Sequence, residues 1–307
     1  MATIKELSRK PELLTGGHRL CAGCGASVAV RQVLLGANDQ VVAGSATGCL
    51  EVSTTPFPFS AWKVPFIHNA FENSAATMSG VEAAYQALKR AGKIEKEMKF
   101  VAFGGDGGTY DIGLQSLSGA MERGHNMVYV CYDNGAYMNT GIQRSGSTPF
   151  GAATTTSPAG KVRPGKPQQR KDLTQIMAAH NIPYVAQASI SHWKDLVKKA
   201  EKAFAVEGSA FINVMAPCPR GWRTPNDATI EIAKTSVQTG FWPLYEVEDG
   251  EWTLNFKPKE LKPITDFLKP QGRFRHLFKP GNEHLLEEFQ AEIDKNWGRL
   301  KKRCGVE

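Results

Sequence analysis

The stretch from Phe103 to Gln143 reads FGGDGGTYDIGLQSLSGAMERGHNMVYVCYDNGAYMNTGIQ, and its reading decides the fold. An apolar run over 100–103 predicts a buried strand. Gly104, Gly105, Asp106, Gly107 and Gly108 follow at once. A helical pattern then runs from Ile112 to Arg123, and a second buried strand from Met127 to Tyr132 ends in Asp133-Asn134-Gly135. Glycines at the C-terminal end of a strand let backbone approach a phosphate closely. The N-terminus of the following helix offers unpaired N–H groups to an anion. An aspartate among those glycines would repel a bare phosphate, so its presence implies a bridging cation. Mg²⁺ fits, because it is held by one or two carboxylates together with phosphate oxygens. Asn134 supplies a second hard oxygen at the end of the next strand. Both positions fall where open α/β sheets bind ligands.

A Gly-rich turn alone is weak evidence, and Asp106 alone would serve as a helix cap. The spacing adds specificity. Asp106 and Asn134 lie 28 residues apart, with a helix and a strand between them. This resembles the thiamine diphosphate motif, in which GDG is followed by an asparagine about thirty residues later. More narrowly, GDGGTYDIG, YDNGAYMNTGIQRSGSTPFGAATTTSPAGK and the cysteines described below resemble the beta subunits of the pyruvate:ferredoxin oxidoreductase family, over roughly residues 15 to 225. The resemblance implies a thiamine diphosphate-binding α/β fold with a doubly wound, mainly parallel sheet. It implies Mg²⁺ held by Asp106, the Asn134 side chain and the Ala136 carbonyl. The diphosphate would be wrapped by Gly105, Gly107, Gly108 and the Gly135-Ala136-Tyr137-Met138-Asn139 loop, with Asn139 near the reactive carbon. Such motifs often carry two consecutive asparagines; Asp133-Asn134 departs from that and leaves the role of Asp133 open.

Four cysteines sit in loops beside predicted element ends. Cys21 and Cys24 form a CxxC ahead of a helical pattern over 27–35. Cys49 follows the predicted strand 40–43, and Cys218 follows the strand 210–215. CxxC alone allows a redox pair, half of a zinc site or part of an iron–sulfur site. Four thiolates suit a [4Fe–4S] cluster or a Cys₄ zinc equally well. The resemblance selects the cluster, with Cys21, Cys24, Cys49 and Cys218 as its ligands and Cys49 close to thiamine. If the strands before Cys49 and Asp106 are neighbours, cluster and cofactor are adjacent. Cys131 lies inside an apolar strand and reads as core; Cys304 has no obvious partner.

The chain has 307 residues, 41% hydrophobic, with a formal net charge of +7. No apolar run reaches the ~20 residues of a membrane span. Met1 to Leu14 shows no signal-peptide pattern, so the cytoplasm is expected. The basic residues are dispersed and no nucleic-acid motif occurs, which favours a solvated surface. Residues 1–17 read as an arm, 18–225 as the thiamine-binding domain and 226–307 as a C-terminal extension, either packed on its own domain or docking a partner. The segment 53–73 reads as an irregular loop in which His68 and Glu72 are acid–base candidates, with packing roles as strong. Residues 74–88 predict a small-residue helix, and 135–161 a long functional loop. Helices over 172–179, 192–205 and 283–302 and a strand over 184–187 complete an alternating pattern.

The resemblance implies decarboxylation of a 2-oxoacid, acyl transfer to coenzyme A and electron delivery to ferredoxin. It places the glutamate that activates the aminopyrimidine on a separate alpha subunit, and the ferredoxin-like modules on gamma and delta subunits or equivalent domains. Pyruvate is the first reading of the substrate, with 2-oxoglutarate, a branched-chain oxoacid or oxalate as alternatives. A non-catalytic α/β subunit with structural zinc is the reading from a different class.

Overall fold

A computed structural model describes residues 3–38 and 40–306; residues 1 and 2 of the expected arm lie outside it. Eight strands form one sheet: β1 (Gln40–Ala46), β2 (Phe66–Asn69), β3 (Met98–Gly105), β4 (Val128–Asp133), β5 (Tyr184–Ser189), β6 (Ala210–Met215), β7 (Tyr245–Glu248) and β8 (Glu251–Leu254). Their order is β2-β1-β3-β4-β6-β5-β7-β8. The first six are parallel, and β7 and β8 add an antiparallel hairpin at one edge. The fold is therefore the doubly wound α/β architecture that the alternating pattern predicts.

The central strands explain their own sequences. Every residue of β4, β5 and β6 is buried, because helices cover both faces of a parallel sheet. Successive side chains then serve different cores. Phe103, Val130 and Tyr132 join one apolar cluster, while Phe100, Ala102, Tyr129 and Cys131 join the other. Cys131 is thus a core residue, as its place in an apolar strand predicts. The Gly25–Leu35 helix buries Ala26, Ala29, Val30, Val33 and Leu34, a three-and-four spacing that makes one face.

Three local expectations change. The helix expected from Ile112 begins at Asp106 and includes a π-turn over Gly108–Ile112 before the Leu114–Glu122 helix. Glycine's low helix propensity hid that start. The stretch 53–73 is not wholly irregular, since it holds the end of the Cys49–Thr54 helix and all of β2. The N-terminal segment carries a short capped helix, Ile4–Leu7, and Leu14 is fully buried with a bridge to Trp62.

Residues beyond 225 are built into the same core. Trp242, Phe267 and Phe274 are fully buried there beside Val214 and Trp222. β7 extends the sheet by pairing with β5, and a turn at Asp249-Gly250 leads to β8. The topology also makes the crevice. From β1 the chain goes outward to β2 and then returns to the other side of β1 as β3, so the connections diverge between β1 and β3. Ligands bind at the carboxyl ends of strands at such a switch point.

Candidate active site

The sequence-predicted residues meet at this crevice. β1 and β3 are hydrogen-bonded neighbours, with Ser45 opposite Phe103, so Cys49 and Asp106 leave adjacent strands. β4 lies next to β3 and delivers Asp133 and Asn134, and β6 lies next to β4 and delivers Cys218. One cleft is lined by Cys49, Gly105, Gly107, Gly108, Asn134, Ala136, Tyr137, Met138 and Asn139. Asp106 lies beneath it and is fully buried.

Three oxygens converge at the base of the cleft. The Asn134 side-chain oxygen lies 3.0 Å from Asp106 Oδ1 and 2.9 Å from the Ala136 carbonyl oxygen. Crowded acceptors repel one another. Either the amide turns over and donates to both, or a cation sits among the three. A six-coordinate Mg²⁺ with ligands at about 2.1 Å sets adjacent oxygens about 3 Å apart. The residues present therefore fit Mg²⁺. Burial, and then the neighbouring Asp133, holds the Asp106 carboxyl well above the usual carboxylate range. A bound divalent cation would relieve both effects.

Asp133 has a different task. It accepts hydrogen bonds from the Tyr110 hydroxyl at 2.7 Å, the Gly135 amide at 3.0 Å and the Ser147 hydroxyl, and Arg170 Nη2 stands 3.5 Å away. Asp133 thus folds the 135–147 loop back onto the strand end. Ser145 donates to Asp106 and ties the same loop to the proposed metal ligand. Gly107 is required by contact, since a Cβ there would lie 2.4 Å from the Tyr137 ring. The Tyr137 hydroxyl closes the pair by donating to the Gly107 carbonyl at 2.7 Å. Gly135 combines a positive φ of 75° with close contact to Arg273, so its position excludes side chains twice over. Asn139 is exposed at the mouth of the cleft.

The cysteines gather along the same edge. Cys24 caps the Gly25–Leu35 helix, Cys49 begins the Cys49–Thr54 helix, and Cys218 caps a short turn, accepting from the Gly221 amide at 3.3 Å. The Gly25 amide donates to the Pro217 carbonyl at 3.1 Å and joins the CxxC loop to the Cys218 loop. Burial is the main cause that pushes Cys24 up to about 11 and Cys49 up to about 12, and Cys218 adds to both. Burial and mutual proximity both disfavour the thiolate forms. Among the described residues no three His, Cys, Asp or Glu side chains are gathered tightly enough for a single metal ion.

Sequence reasoning missed several residues. Thr47, Gly48, Phe71, Tyr132 and Thr140 also line the cleft. Arg273, from the C-terminal segment, is 3% exposed and stacks on Trp222 at 3.9 Å, and its Nε donates to Gln271. Trp222 donates to the Asn134 carbonyl at 2.6 Å. Thr47, Gly48, Tyr132 and Thr140 adjoin residues the sequence did single out, whereas only the tertiary fold brings Phe71 and Arg273 to the crevice. His68 and Glu72 are exposed and do not line the cleft; His68 faces Glu51 at 3.8 Å.

The chain is similar to proteins of known family. Residues 46–214 match the thiamine pyrophosphate enzyme C-terminal TPP binding domain. The chain is 54% identical over 302 residues to the pyruvate synthase subunit PorB of Thermotoga maritima, covering 96% of this chain and 93% of that protein. It is 54% identical to PorB of Methanocaldococcus jannaschii, covering 93% and 95%. It is 46% identical to the ketoisovalerate oxidoreductase subunit VorB of Pyrococcus abyssi, covering 94% and 93%. A solved 2-oxoglutarate:ferredoxin oxidoreductase from Magnetococcus marinus shares the fold, with a TM-score of 0.54, 23% identity and 74% and 78% coverage.

Proposed function

Because this chain belongs to the PorB family of pyruvate synthase subunits and carries a thiamine pyrophosphate-binding domain, we propose that it is the diphosphate-binding half of a pyruvate:ferredoxin oxidoreductase. The reaction is oxidative decarboxylation of pyruvate with coenzyme A to acetyl-CoA and CO₂, the electrons passing to ferredoxin. The observation that carries the reading is the convergence of the Asp106 carboxylate, the Asn134 side-chain amide and the Ala136 carbonyl in the switch-point crevice, with Cys49 lining the same cleft.

When bound, thiamine diphosphate supplies the nucleophilic carbon and the electron sink for decarboxylation. The chain's own residues do the rest. Asp106, the Asn134 amide oxygen and the Ala136 carbonyl would hold Mg²⁺, whose charge would offset that of the diphosphate. Gly105, Gly107 and Gly108 leave room for it, and the loop from Gly135 to Asn139 closes over it. Asn139, at the cleft mouth, positions the substrate side of the cofactor. Cys21, Cys24, Cys49 and Cys218 would hold a [4Fe–4S] cluster, which would take electrons one at a time. The activating glutamate and most substrate contacts come from an alpha subunit, and the ferredoxin-like electron carriers from gamma and delta subunits or equivalent domains. The complex is placed in the cytoplasm, and among the described residues no helix is long and apolar enough to cross a membrane.

A branched-chain 2-oxoacid is the second reading, favoured by the VorB relative. The test is made on the co-purified complex under anaerobic conditions. Iron, sulfide and thiamine are measured, and ferredoxin reduction is then followed with CoA and a panel of 2-oxoacids. Iron, thiamine and a preference for pyruvate are the expected result. A preference for a branched-chain acid moves the substrate to the second reading. A colourless zinc protein without thiamine, inert to every oxoacid, overturns both.

A further inference from the structure

Lys166 is 1% exposed, yet among the described residues no carboxylate pairs with it. Its ammonium donates only to backbone carbonyls: Thr148 at 2.5 Å, Gly146 at 3.4 Å and Gln169 at 3.4 Å. Three N–H donors thus meet three acceptors. The backbone of Lys166 bonds the same loop, its amide donating to the Ala152 carbonyl at 3.1 Å and its carbonyl accepting from the Gly151 amide at 2.8 Å. Burying a charge without an anion is costly, and methionine would fill similar space without that cost. The charged groups around Lys166 add to the cost, because Arg144, Arg170 and Lys171 oppose the ammonium and Asp111 alone favours it. Burial first, and then these cations, bring the lysine down to about 8. The neighbouring histidine, His276, bonds the Pro164 carbonyl at 2.9 Å. The loop that Lys166 gathers serves both buried aspartates. Ser145 donates to Asp106, Ser147 donates to Asp133, and the Thr148 hydroxyl donates to the Gly135 carbonyl at 2.8 Å. The carbonyls of Gly146 and Thr148 belong to the same four residues, so fixing them fixes where the three hydroxyls point.

We propose that Lys166, as the ammonium, is a positioning residue for cofactor binding: it orders residues 145–148 so that their hydroxyls hold Asp106, Asp133 and the Gly135 carbonyl in the arrangement that receives thiamine diphosphate. The inference rests on the thiamine reading above. The neutral amine has two N–H donors and a lone pair, so one of the three carbonyls loses its donor and the loop slackens. Cofactor binding therefore selects the protonated lysine. The cofactor-free fold holds Lys166 below its ordinary value of about 10.4. The ammonium is present below pH 8 and is lost as pH rises through that value. Affinity for thiamine diphosphate is then full on the acid side of this range and falls on the alkaline side, by at most about tenfold per pH unit for one proton.

The test strips the assembled complex of its cofactor and measures thiamine diphosphate binding by equilibrium dialysis at saturating Mg²⁺, from about pH 7 to about pH 9. In the wild type the dissociation constant should rise about tenfold over that range. Lys166→Met, which has the length and no charge, should bind about tenfold more weakly at pH 7 and show no pH dependence, so that the two proteins converge near pH 9. Lys166→Arg stays charged throughout and should also lose the pH dependence. A purely structural role would instead keep Lys166→Met weaker than wild type by the same factor at every pH, and that outcome overturns the inference. A flat wild-type profile overturns it without any variant. So does a Lys166→Arg profile that falls as steeply as the wild type. If the stripped complex binds no thiamine diphosphate at any pH, the thiamine reading fails and the inference falls with it.

Discussion

At the scale of single residues, the site is dominated by Asp106. A fully buried carboxylate is costly unless it is paired, and here it is paired only with donors and, by proposal, with a cation. Burial and Asp133 raise its folded-state pKa above the unfolded value. The metal-free fold therefore holds a proton that the unfolded chain releases. Its stability should fall as pH rises from the ordinary carboxylate range, about 4, through the raised folded value. Mg²⁺ needs the ionised form, so cofactor affinity should rise across the same window. Asp106→Asn separates the two effects. The metal-free variant should be more stable than wild type at pH 7, on the order of 1 kcal/mol by denaturant titration. Its retention of Mg²⁺ and thiamine diphosphate should weaken at least about 100-fold. Equal retention by the variant in equilibrium dialysis would remove Asp106 from the metal site.

At the scale of elements, the crevice depends on loops held by other elements. The CxxC turn is clamped by the Thr229–Gln238 helix: the Thr229 hydroxyl donates to the Gly23 carbonyl at 2.6 Å. Gly23 has a φ of 73°, and a Cβ there would lie 2.0 Å from the Asn226 carbonyl oxygen. Thr229→Val keeps the shape and removes the donor, leaving the carbonyl unpaired. It should cost about 1–3 kcal/mol locally and speed loss of iron on exposure to air, with thiamine binding intact. Iron loss at the wild-type rate would show that the clamp is dispensable. The π-turn after Asp106 belongs to this scale too. Gly113 donates to the Gly108 carbonyl at 2.8 Å, five residues back, which widens the helix start beneath the cleft. Such turns recur at functional sites.

At the scale of the whole molecule, residues 226–307 complete the domain that the thiamine motif begins. They contribute an edge hairpin, fully buried aromatics and Arg273, whose guanidinium packs against Gly135 in the proposed diphosphate loop. Ending the chain after residue 225 would uncover the faces that Trp242, Phe267 and Phe274 now bury. Such a fragment should aggregate and bind no thiamine diphosphate, measured by soluble yield and size-exclusion chromatography. A soluble, cofactor-binding fragment of residues 1–225 would show that the C-terminal segment is an independent arm.

Much was legible in the linear chain because it depends on local pattern. Apolar runs of strand length marked the parallel sheet, and the glycines around Asp106 with the 28-residue spacing to Asn134 marked the proposed diphosphate site. Cysteines beside element ends marked the proposed cluster ligands. The Asp249-Gly250 turn was equally legible, since Asp-Gly between short strand patterns favours a type I′ hairpin, yet the surrounding Pro- and Phe-rich sequence obscured it. By contrast, His68 and Glu72 carried suitable chemistry but lie outside the cleft. By itself the sequence determined which strands form and which residue types end them, because periodicity and turn chemistry act over a few residues. Only the tertiary structure decided that β3 returns beside β1, that Asn134 and Ala136 bring their oxygens to Asp106, and that Tyr132 and Arg273 enter the crevice. Strand order and side-chain convergence arise from packing among residues tens to hundreds of positions apart, and no local pattern encodes those distances.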